Sequence, residues 1–157
     1  MLDENQIKIL LKLHELEQSL AEMYSLFLEK FPEHKALWSL LVKEEMEHAE
    51  AVQKLYQLTY KRDAAFSEGS IRLTAVDSII EYVKKNCEIG RRDGMDAGQA
   101  LELSRDIEKS MIAKDIFDHF KVRLEYTNLL NHLRAGSERH AQLVQEEIDR
   151  SKKRRYV

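Results

Sequence analysis

Apolar residues recur every three to four positions along most of this chain, the period of a helix with one buried face. The first such stripe reads Leu10, Leu13, Glu17, Leu20, Tyr24, Phe27 and Phe31, and the second reads Trp38, Leu41, Glu45, His48, Val52 and Leu55. Pro32 falls between them, and because proline cannot continue a helix a reversal is expected near Phe31 to His34. The two helices then form a hairpin over residues 4–62. The run Ser67-Glu68-Gly69-Ser70 breaks the pattern. After it Thr74 reads as the N-cap of a short connecting helix, with Ala75 to Glu88 inside a segment of about 74–90. Gly90, Gly94 and Gly98 punctuate the next stretch. Beyond them Gln99 to Phe120 and Leu124 to about Arg150 read as two more long helices, a second hairpin over about 96–150. No strand run competes, so the expected class is all-α: one domain over 1–157, an antiparallel four-helix bundle with a short connecting helix between its two hairpins.

Composition agrees with this reading. Five glycines, one proline and 34% charged residues describe long helices joined by few turns. At 157 residues one core can form without a covalent staple. The lone Cys87 excludes an internal disulfide and a four-thiolate metal centre, and reads as a buried small hydrophobe. No run approaches the roughly 18 apolar residues of a membrane span. Met1 leads into Asp3-Glu4-Asn5-Gln6 instead of a basic and then apolar export signal, so a cytoplasmic location is expected. A net charge of −3 with both signs interspersed points to neither a nucleic acid nor a membrane partner. The basic tail Arg150-Ser151-Lys152-Lys153-Arg154-Arg155 reads as cations at the partly negative end of the last helix.

The charges that matter lie where a core should be. Glu17 is the only charge on the first stripe, and Glu45 and His48 occupy the middle of the second with apolar residues on both sides. Glu45 and His48 are three apart, so they share a helix face and can bind one cation together. A buried carboxylate needs a counter-charge or a metal. No Lys or Arg lies on either stripe, which leaves Arg105 or Lys109 turned inward as the basic alternative. His14, His34, His119 and His132 read as surface or turn histidines, and Lys43-Glu44 and Glu146-Glu147 as solvated faces.

The second half of the chain echoes the first. Glu17-Gln18-Ser19-Leu20 corresponds to Glu108-Lys109-Ser110-Met111, and Leu37, Leu41, His48, Ala49, Val52 and Gln53 correspond to Leu129, Leu133, His140, Ala141, Val144 and Gln145. Related hairpins packed by approximate two-fold symmetry bring Glu17, Glu45 and His48 opposite Glu108 and His140. One partner is missing. The position that mirrors Glu45 is Ser137, and Glu138 points about 100° away around the helix.

These residues resemble the rubrerythrin branch of the ferritin-like proteins over nearly the whole chain, without the C-terminal rubredoxin module and its paired Cys-x-x-Cys motifs. The class carries a single Glu on each of two helices and Glu-x-x-His on each of the other two. Glu17 and Glu108 resemble the single Glu residues, Glu45 with His48 the first paired motif, and His140 the surviving half of the second. Tyr24 resembles the tyrosine that follows the first Glu, an outer group bonded to a ligand carboxylate, although a plain core tyrosine fits as well; its counterpart in the repeat is Asp115. Ser137 stands at an expected Glu ligand position, which Asp115 or water could substitute. The resemblance implies a ferritin-like bundle and a metal-binding oxidoreductase of the rubrerythrin type. In it iron, two ions or one, would reduce peroxide or dioxygen as ferrous iron is oxidised. Manganese or zinc suits the same donors. It also implies a separate electron donor protein and a homodimer. Two other readings stay open: an iron-binding protein without turnover, and a degenerate, metal-free helical module that binds a protein partner.

Overall fold

The computed structural model describes residues 2–67, 71–112 and 116–155. Its helices are α1 (Glu4–Lys30), α2 (Lys35–Tyr60), α3 (Leu73–Arg91), α4 (Ala97–Ile112) and α5 (Thr127–Arg155). Among the described residues the fold is all-α apart from one small two-stranded clip. Asp3 and Gln6 start α1 with a reciprocal cap, each side chain accepting from the other's backbone N–H at 2.8 and 3.0 Å. Phe31 precedes Pro32 and leaves the helical region at φ −127° and ψ 67°, ending α1; Pro32–His34 then makes a 3-10 turn into α2.

Side-chain pairings fix the direction of each helix. Tyr24 stacks on Trp38 with ring centroids 6.0 Å apart while Glu17 lies against His48, so α1 and α2 run antiparallel. Lys12 meets Asp77 and Lys30 meets Asp93, so α3 runs parallel to α1 and carries the chain back along the molecule. Arg105 with Gln145 and Glu108 with His140 make α4 and α5 antiparallel. Glu44 with Arg139 and His48 with His132 do the same for α2 and α5. The core lies between these helices and includes Leu13, Leu20, Tyr24, Phe27, Trp38, Leu41, Leu55 and Leu133. Gly90 lets α3 approach α1 closely, because a Cβ there would sit 3.1 Å from Leu26 Cδ2.

Several sequence expectations need correction. The connector is not short: α3 has 19 residues and α4 only 16. Arg72 rather than Thr74 is the N-cap residue of α3, with no side-chain cap bond. The helix expected to reach Phe120 is described as far as Ile112, and residues 116–122 do not belong to it: Ile116–His119 forms a 3-10 turn and Phe120–Val122 a strand. That strand pairs antiparallel with Ala64–Phe66, where no strand was expected. Tertiary packing overrides the helical pattern here, since Phe66 and Phe120 stack at 4.6 Å and Gln6 Nε2 donates to the Phe66 carbonyl at 3.1 Å. Cys87 is buried and carries a free thiol. Among the described residues no helix is long and apolar enough to cross a membrane.

Candidate metal centre

Four helices deliver one side-chain cluster to the interior. Glu17 comes from α1, Glu45 and His48 from α2, Glu108 from α4 and His140 from α5, and none is more than 4% exposed. His140 Nδ1 lies 2.9 Å from Glu45 Oε1 and 3.3 Å from Glu108 Oε1. His48 Nδ1 lies 3.2 Å from Glu45 Oε2 and 3.8 Å from Glu17 Oε2. Glu45 therefore sits between the two imidazoles, one oxygen toward each. The rings stack with centroids 5.1 Å apart. Tyr24 donates its hydroxyl proton to Glu108 Oε1 at 2.7 Å.

Burial decides the charge state. Burial, the neighbouring charge of Glu45 and a shared hydrogen bond with Glu45 together raise the Glu17 pKa well above the ordinary carboxylate value. Burial pushes Glu45 up too, but hydrogen bonds from His140, His48 and Glu17 outweigh it and hold this carboxyl well below its usual range. Glu108 is raised to about 7 by burial and by the charge of Glu45, against hydrogen bonds from His140 and Tyr24. Burial works against a charged His140, yet hydrogen bonds to Glu108 and Glu45 raise its pKa to about 10. Burial and the charge of Glu108 also push the Tyr24 phenol well up, so it stays a donor. Glu17 and Glu108 thus keep their protons to higher pH than a free carboxyl, and His140 to higher pH than a free imidazole.

Among the described residues no Lys or Arg contacts Glu17, Glu45 or Glu108. Lys109 is exposed, and Arg105 reaches outward to Asp106 and Gln145, so neither supplies the inward counter-charge considered from sequence. Glu17 Oε2, Glu108 Oε2 and His140 Nε2 are buried without a hydrogen-bond partner. Buried carboxylate oxygens without a partner, beside imidazoles, are groups that a cation could satisfy. Glu45, His48 and His140 offer ligand atoms that all lie within 4.8 Å of one another, a buried group that could hold a metal ion. The donors fit a divalent cation of the iron, manganese or zinc kind.

The remaining residues singled out from sequence are placed as follows. Ser137 is half-buried and lines a cavity of about 110 Å³ with Met111, Phe117, Leu133 and Arg134, one turn before His140. Asp115, the substitute considered for it, lies outside the described residues. Glu44 is not a solvated residue: it is buried, held by Arg139 Nε at 2.9 Å, with its other oxygen 3.6 Å from His140 Nε2. Glu147 and His34 are likewise buried and bonded to each other at 2.7 Å, with Arg150 on the second Glu147 oxygen at 2.9 Å. His14 and His119 are half-buried, while His132 is exposed and meets the His48 ring edge-on at 5.1 Å. Sequence reasoning missed Glu44, and it placed His132 at the surface, where it is, without its contact with His48. Glu44 stands next to Glu45, and His132 lies two turns before His140 on one face of α5, the signals that could have found them.

No family model matches the chain, and none of the curated proteins or solved structures compared with it does.

Proposed function

We propose that this chain binds iron, two ions or one, through Glu17, Glu45, His48, Glu108 and His140, and acts as an oxidoreductase resembling the rubrerythrins. In this reading α1, α2, α4 and α5 are the four helices of a ferritin-like bundle and α3 is its crossover. The substrate is peroxide or dioxygen, and a separate donor protein returns the electrons. The observation that carries the proposal is the buried carboxylate and imidazole cluster, in which Glu17 Oε2, Glu108 Oε2 and His140 Nε2 have no hydrogen-bond partner.

Bound ferrous iron would supply one electron per ion to the oxidant. The chain's own part is to hold the donors, exclude water and manage protons. Leu13, Leu20, Leu41 and Leu133, none above 2% exposed, limit water around the site. Tyr24 orients Glu108 through its hydroxyl. Glu108, raised to about 7, exchanges its proton near neutral pH, and Glu17 and His140 would release theirs on ligating a cation.

Ser137 favours a second reading, iron binding without turnover, because a neutral hydroxyl facing a cavity supplies no carboxylate where the repeat calls for one. Elemental analysis after anaerobic reconstitution with ferrous iron separates the readings, run on the native chain and on Ser137→Glu. The native chain is expected to retain iron and, once loaded, to reduce peroxide faster than the same iron in buffer; Ser137→Glu is expected to hold more iron per chain. Iron retention without peroxide reduction selects the binding protein. No iron in the native chain, with uptake in the variant, selects the metal-free module.

A further inference from the structure

The cluster is closed, and a cation needs a way into it. Of its members His48 is the most accessible at 4%, and the ring faces two ways. Its Nδ1 points to Glu45 and Glu17. Its other side lies against α5 at Gly136, where a Cβ would collide with Cε1 and stand 2.7 Å from Nε2. Along that face of α5 the residues four apart are His132, Gly136 and His140. Gly136 leaves a slot in this row and the His48 ring fills it, with its centroid 5.1 Å from both His132 and His140. Three imidazoles from two helices therefore stand in file from solvent to the buried site. His132, at the outer end, is exposed, yet it touches a buried cluster member. Arg139, the cation on the same seam, is held by Glu44 at 2.9 Å.

We propose that His132 is a capture ligand for divalent cations at the seam between α2 and α5, and that the cation passes from it to His48 and on to the cluster. The inference rests on the metal-binding reading and adds to it a second, transient site. A hydrated cation loses water more readily when each lost ligand is replaced, and a neutral imidazole is a good first replacement. Gly136 makes the transfer possible because a Cβ there would collide with the His48 ring where it meets His132. A group that acts only on the way in must act equally on the way out. Its removal slows binding and release by one factor and leaves the equilibrium constant unchanged.

The test uses Co²⁺ with the full-length metal-free chain. Uptake is followed by stopped-flow through the single tryptophan, Trp38, or the Co²⁺ visible bands, and release by mixing with a chelator. His132→Ala is expected to slow both at least 5-fold with the same final stoichiometry, and His132→Glu, which restores a ligand at that place, to recover most of the rate. Because His132 is exposed, its thermal unfolding should match the native chain. Native rates in His132→Ala overturn the inference alone. A changed end-point in His132→Ala also overturns it, by making His132 part of the final site. No Co²⁺ or Fe²⁺ uptake by the native chain overturns the metal-binding reading and the inference with it.

Discussion

At the scale of single residues, the chemistry comes from carboxyl groups kept where water cannot reach them. Glu17 and Glu108 titrate above their ordinary value of 4.5, and His140 above 6.5. In each case the folded chain holds a proton that the unfolded chain has released. The stabilisation is complete below the unfolded value and is lost as pH rises through the folded one. For Glu108 that window runs from 4.5 to about 7, and for His140 from 6.5 to about 10. Glu45 has the opposite sign, its contribution being lost as pH falls below 4.5. Metal-free protein is therefore expected to melt highest in mild acid and progressively lower toward pH 9, and thermal unfolding across that range checks it. In the metal-binding reading metal is expected to reverse the trend, since a cation would compete with those protons and bind more tightly as pH rises. Gly136→Ala gains about 1 kcal/mol of helix propensity but meets the His48 ring, an overpacking cost of about 1–3 kcal/mol. The ring belongs to a bonded cluster and cannot yield freely, so a net loss of stability with weaker Co²⁺ binding is expected from urea melts and titration.

At the scale of elements, the helices were legible because their stripes obey one period, and Glu17, Glu45 and His48 stood out because each interrupts it. The partners of Glu44, His34, Glu147 and His132 were not legible. A charged residue beside the polar face reads the same whether water or another helix satisfies it, and here the partners are far away in sequence. Arg139 lies on α5 for Glu44, and Glu147 on α5 for His34. The His34–Glu147 pair fastens the turn after α1 to the last helix. Glu147→Ala leaves a buried imidazole without its partner, and a cost of about 3 kcal/mol is expected from urea denaturation; a cost below about 1 kcal/mol would show that solvent already satisfies the pair. The strands escaped notice for a related reason. Three residues on each side carry no period of their own, and only the meeting of Phe66 with Phe120 makes them a sheet.

At the scale of the whole molecule, a cation held as proposed would tie together segments far apart in the chain. A ligand that binds only the folded state stabilises it by about 2.7 kcal/mol at a hundred times its dissociation constant. Adding Co²⁺ or Fe²⁺ at that excess is expected to shift the urea midpoint accordingly, and the shift should vanish in the Glu45→Ala/His48→Ala double variant. The sequence by itself determined the helical class and the stripe positions, because period and polarity are local properties of a chain. It also showed the internal repeat that paired Glu17 with Glu108 and His48 with His140, and the serine that breaks it. Only the tertiary structure decided that α3 spans the molecule, that residues 116–122 leave the expected helix, and that Glu44, Glu147 and His34 leave water. It alone set the ring of His48 in the slot at Gly136 between two other imidazoles. Those outcomes depend on which surfaces meet, and the free energy of a contact between distant segments is written in neither segment alone.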